Sequence, residues 1–98
     1  MQRKSGQILV WTIEYVATAQ ASLKKLDKPI ARRILNFMDE RVACAENPRV
    51  LGKALSGPEG GRWRFRVDNY RIVCEIENNL FRVLVVRIGH RGDVYRQH

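Results

Sequence analysis

The sequence predicts a single small α+β domain of order β-α-α-β-β-β, with a two-helix hairpin packed on one face of a mostly antiparallel four-stranded sheet. Three observations carry this. The run LVWTIEY (Leu9 to Tyr15) is β-branched and aromatic, as strands prefer. Apolar residues at helical spacing then occupy the stretch to Ala45. Last come three strand-like runs, Arg62 to Val67, Tyr70 to Glu77 and Leu80 to Ile88, separated by little more than Asp68-Asn69 and Asn78-Asn79. These residues tolerate the positive φ of tight hairpins, so the three runs form a meander.

Taken in order, residues 1–8 are polar and contain glycine, and read as a flexible extension. The first strand leads into a short helix, Val16 to Leu26, with Ala19, Leu23 and Leu26 on one side. Asp27 can cap the next helix, and Pro29 suits its first turn. That second helix has the clearest pattern: Ile30, Ile34, Phe37, Met38 and Val42 make one apolar stripe, with Arg32, Arg33, Asp39 and Glu40 opposite, and Glu46 to Pro48 end it. Phe37 and Met38 are core on this reading, not a cofactor pocket. RVLGKALSGPEGG (Arg49 to Gly61) is a turn-rich connector. Trp63, Phe65 and Val67 then alternate with Arg62, Arg64 and Arg66, and "FRVLVVRI" is apolar on both faces, as a central strand would be.

A chain of 98 residues, 45% hydrophobic and 29% charged, makes one domain with one modest core (1-98, the first eight residues apart). No apolar run approaches the roughly 20 residues needed to span a bilayer, and the N-terminus lacks the pattern of a signal peptide, so a cytoplasmic location without membrane contact is expected. Cys44 and Cys74 have no metal-like spacing and read as small buried hydrophobes; no metal or cofactor is implied.

The net charge of +8 and the pI near 10.2 call for an acidic partner. Every lysine lies at or before Lys53, whereas Arg62 to Arg96 supplies eight arginines and no lysine. Arginine keeps its charge and grips a phosphate through two parallel N–H bonds. Two helices cover only one face of a sheet, so Arg62, Arg64 and Arg66 belong to the open face, where like charges repel unless an anion sits among them. The turn GHRGDVY adds His90, Arg91 and Tyr95 after the last strand. Phosphate-clamping arginines with a stacking aromatic are what single-stranded RNA needs. The blander alternatives are that Arg64 or Arg66 bridges to Glu75 or Glu77, that Arg82 and Arg87 do the same or lie exposed, and that Tyr95 covers the core edge.

"WTIEY", "LKKLDKPIARRI", "LGKALSGP", "WRFRVDNYRIVCEI" and "VLVVRIGHRGDVY", in this order, resemble the RelE family of bacterial toxins from type II toxin–antitoxin pairs. The likeness spans about residues 11 to 96. It implies a ribosome-dependent, metal-independent mRNA endonuclease that enters the 30S A site and cuts the exposed codon by attack of a ribose 2′-OH on the adjacent phosphate. It implies an acidic RelB-like antitoxin as partner, and operator DNA only indirectly, through that antitoxin. Carried over, Arg64 and Arg66 flank the phosphate, Arg71 meets the charge of the transition state, Arg91 assists the leaving 5′-oxygen, and Tyr95 stacks on or orients the substrate. Arg62 and Lys53 are candidate RNA contacts beside them. Some relatives carry lysines where this chain has Arg64 and Arg66, and guanidinium cannot serve as a base. His90 is the one group of the set that titrates near neutrality, so it is either the acid–base catalyst or an orienting residue for the Arg91 loop. The competing functions are a ParE-like toxin that inhibits DNA gyrase, and an inactive relative that only binds its antitoxin.

Overall fold

A computed structural model describes residues 10–90. Strand β1 (Thr12–Tyr15) runs almost directly into helix α1 (Ala17–Lys25), and Gln20 Nε2 ties the two by donating to the Tyr15 carbonyl at 2.9 Å. Lys24 and Lys25 close α1, where the helix dipole favours cations. Helix α2 (Lys28–Phe37) begins with Pro29 in its first turn. Asp27 stands at its N-cap, but only the carbonyl serves, accepting from Ala31 N–H; the side chain makes no capping bond.

The second helix does not run unbroken to Ala45 as its periodicity suggests. It widens into a π turn, Met38–Val42, closed by Ala43 N–H on the Met38 carbonyl. The reason lies in the spacing. Ile34, Met38 and Val42 recur every four residues, more than the 3.6 of an α-helix, so a wider last turn keeps all three fully buried.

Among the described residues the sheet has five strands rather than four, in the order β1-β5-β4-β3-β2, with β1 parallel to β5 and every other pair antiparallel. The added strand is β2 (Lys53–Ala54), two residues of the connector lying against β3 (Trp63–Val67). Gly52 allows this approach: a Cβ there would sit 2.6 Å from the Arg64 carbonyl oxygen and 3.0 Å from the Phe65 ring. Strand β4 (Tyr70–Glu77) is the middle strand, reached from β3 through Asp68 at φ 54°. The second connection is longer than an Asn-Asn hairpin. Asn78–Leu80 form a 3-10 turn, Phe81 follows at φ 46°, and β5 runs from Arg82 to His90 with neighbours on both sides.

One irregularity governs which way β5 presents its side chains. Cys74 pairs with Val85 but Val73 pairs with Arg87, so Val86 is an extra residue, a β-bulge. Before it, Val83 and Val85 point into the core; after it, Ile88 does. The core lies between the helices and this face of the sheet, built from Trp11, Ala19, Ile34, Met38, Val42, Phe65, Ile72, Cys74, Val83, Val85 and Ile88. Burial pushes the Cys74 thiol up, which keeps it an uncharged hydrophobe. Cys44 is half-buried and donates to the Asp39 carbonyl at 3.7 Å. Among the described residues no helix is long and apolar enough to cross a membrane.

Candidate active site

Alternation on β3 sends Phe65 fully into the core with Val67 packed against it and the half-buried Trp63 on the same face, and turns Arg64 and Arg66 to the other face. The neighbouring strands supply the rest by register. Arg66 pairs with Arg71, Arg64 pairs with Lys53 on one side and Val73 on the other, and Arg71 faces Gly89 across β4 and β5. Residues paired across a sheet share a face. Lys53, Arg64, Arg66 and Arg71 are thus brought together on the side the helices leave uncovered, and Gly89 puts no side chain next to Arg71.

Arg71 is the unusual member. It is only 6% exposed, yet its Nη1 finds no more than a 3.5 Å contact to the Tyr70 carbonyl, and its Nε is buried without a partner. Among the described residues no carboxylate pairs with it. A buried guanidinium in this state is costly and favours an incoming anion.

The rim of the same face is neutralised. Arg62 donates to Glu75 Oε2 through Nε at 3.1 Å and Nη2 at 3.0 Å, and to Glu59 Oε1 through Nη1 at 3.1 Å. Arg87 donates to the other oxygen of Glu59, and Arg82 to Glu77 and Glu14. Burial works to raise the Glu59 pKa, but hydrogen bonds from Arg87 and Arg62 outweigh it and hold the carboxyl below its ordinary range. Between these residues lies an open groove of about 660 Å³, lined by Pro58, Glu59, Arg62, Glu75, Glu77 and Arg87 among others. The bridge to Glu75 expected of Arg64 or Arg66 is made by Arg62, whose charge is thereby compensated.

His90 does not join the arginines. It pairs with Tyr70, whose ring packs against the core, and its own ring meets Tyr70 edge-on at 5.4 Å. A cavity of about 590 Å³ at that end of the sheet is lined by His90 and Tyr70 together with Asp27, Ile30, Arg33, Asp68 and Asn69. His90 is therefore on the helix side. The bulge at Val86 is the cause: it reverses the alternation of β5, giving the open face Arg87 and Gly89 and the helix face Ile88 and His90. Arg91 and Tyr95 lie outside the described residues. The Glu59 to Arg87 link was not legible, because 28 residues separate the partners and no local pattern joins them.

A family model described as the ParE toxin of type II toxin–antitoxin systems matches residues 13–95. Toxin RelG of Mycobacterium tuberculosis is 28% identical over 87 residues, covering 89% of this chain and 98% of that protein. Toxin RelE of the same organism is 30% identical over 86 residues, covering 88% and 87%. A chain of the M. tuberculosis RelBE2 toxin–antitoxin complex superposes with a TM-score of 0.78 at 25% identity, over 89% of this chain and 98% of that one. A chain of the intact E. coli RelBE complex gives 0.66 at 18% identity over 82% and 95%, a likeness of fold alone.

Proposed function

This chain belongs to the ParE toxin family of type II toxin–antitoxin systems, and from that premise we propose that it is a ribosome-dependent mRNA endonuclease. The observation that carries the reading is the uncovered sheet face, where Arg66 lies across from a buried Arg71 that no carboxylate among the described residues neutralises, and Arg64 and Lys53 continue the same face.

In this reading Arg64 and Arg66 hold the scissile phosphate while the 2′-oxygen attacks phosphorus in line. The bond to the 5′-oxygen breaks, leaving a 2′,3′-cyclic phosphate, and the proton lost by the 2′-OH is balanced by one gained at the 5′-oxygen. Arg71 stabilises the charge that accumulates between these steps. His90 takes no part in the proton transfers, being on the other side of the sheet. The described part of the face thus supplies position and charge, and the ribosome supplies the geometry of the RNA. Arg91 and Tyr95 keep the roles their motif implies, beside the leaving oxygen and the base.

The partner in the pair is an acidic antitoxin lying over the arginine face, which fits the net charge of +8. Structural neighbours of the chain are themselves toxin–antitoxin complexes. The family model favours a second reading, inhibition of DNA gyrase. Purified protein added to ribosomes programmed with a defined codon should cut that message and leave the same RNA intact in solution. Intact message on the ribosome, with loss of supercoiling by purified gyrase, would establish the second reading.

A further inference from the structure

The groove on the rim of the open face contains a carboxylate placed as a bound phosphate would be. Each oxygen of Glu59 takes a different arginine, Oε1 from Arg62 at 3.1 Å and Oε2 from Arg87. The guanidinium Nε of Arg87 is buried without a partner, so Glu59 does not exhaust its donors. The residue sits on a short loop between Gly57 at φ 64° and Gly61 at φ 91°, and nothing lies within 4 Å of where a Cβ would stand on either. The loop is held by its own turn bonds, Gly60 N–H to the Gly57 carbonyl at 2.9 Å and Arg62 N–H to the Glu59 carbonyl at 3.1 Å. It can yield without disturbing the core.

Register places this carboxylate relative to the buried arginine. Arg87 pairs with Val73, two residues along β4 from Arg71. One strand across and two residues along is roughly 8 Å between backbones, a separation that one extended nucleotide step covers.

We propose that Arg62 and Arg87 form a second phosphate site, for the RNA phosphodiester adjacent to the one held at Arg71, and that Glu59 fills this site until RNA displaces it. The proposal rests on the nuclease reading for its ligand but not for its test. Without RNA the stand-in keeps two arginines paired, which suppresses indiscriminate binding to any polyanion. With RNA, Glu59 leaves on its loop, and Arg87 and the Nη1 of Arg62, whose Nε and Nη2 stay on Glu75, pass from its carboxylate to phosphate, with no covalent change.

The test is binding of a short single-stranded oligodeoxynucleotide, which lacks the attacking 2′-OH, measured by fluorescence anisotropy over a range of salt. Glu59→Gln should tighten binding several-fold. It should also steepen the slope of log K against log salt by about 0.7, the increment for one more phosphate contact on a single strand. Glu77→Gln removes a charge from the same face and should give no such gain, and Arg87→Gln added to Glu59→Gln should abolish it. Glu59→Asp, too short to reach both arginines, should show an intermediate gain, and it serves in place of the glutamine variant should that fail to fold. An unchanged or weaker affinity in folded Glu59→Gln overturns the proposal. So does an equal gain in Glu77→Gln, which would be a field effect. Because nothing is cleaved here, a full gain in a protein that never cuts message would retain the site and reject the nuclease.

Discussion

Arg71 and His90 belong to one candidate set in the sequence, yet they lie on opposite faces of the sheet. The alternation of Trp63, Arg64, Phe65 and Arg66 made the arginine face legible, because β3 is regular and period two holds along it. His90 was not legible, because a single bulged residue reverses the parity of β5 and bulges leave no mark in composition. Arg71→Ala should reduce the single-turnover rate on programmed ribosomes by about 10² to 10³, comparable to losing one oxyanion donor, with a much smaller change in ribosome affinity. Equal losses in both would make Arg71 a docking residue. His90→Gln should leave that rate and its pH profile unchanged, since the ring faces Tyr70 and the helices; a flattened limb in the profile would return His90 to the chemistry.

Among the elements, both helices and the three strands of the meander follow from apolar spacing, whereas β2 does not. Two residues carry too little pattern to announce a strand, and what makes one here is Gly52, a matter of clearance. Gly52→Ala should destabilise the fold by about 1–3 kcal/mol, the usual cost of overpacking, since the neighbours it meets are the Arg64 carbonyl and a fully buried ring. Chemical denaturation checks this, and a loss of RNA affinity should accompany it because Lys53 is positioned by the same strand. The π turn after α2 is likewise a consequence of spacing that a helical template does not contain. Ile34→Ala, in the stripe that this turn preserves, should cost about 2–5 kcal/mol in the same measurement.

For the whole molecule, the excess of positive charge is less important than where it is left uncompensated. Glu14, Glu59, Glu75 and Glu77 pair with Arg62, Arg82 and Arg87 around the rim, while Arg71 remains without a carboxylate among the described residues. This arrangement has a pH signature. The Glu59 carboxyl is held below its ordinary value in the folded state, so its contribution to stability is complete above the unfolded pKa, about 4.3, and is lost as the pH falls through the lower folded value. Thermal melts of Glu59→Gln should therefore fall less steeply than those of the parent protein between about pH 5 and 3. An identical acid limb would mean that Glu59 titrates alike in the folded and unfolded chains.

The bulge at Val86 also has a bearing on how this protein can vary. Substitutions along β5 change one side chain at a time and leave the two faces distinct. Loss of the single codon for Val86 would remove the bulge and leave both faces as they are, with Val85 still opposite Cys74 and Arg87 still opposite Val73. At the bulge the strand is accordingly tolerant of a one-residue deletion, a change that elsewhere in a regular strand shifts side chains from one face to the other. In a library of single deletions scored for growth arrest, loss of the half-buried Val86 should be among the mildest in β5, whereas loss of the buried Ile88 should be as damaging as any position in the core.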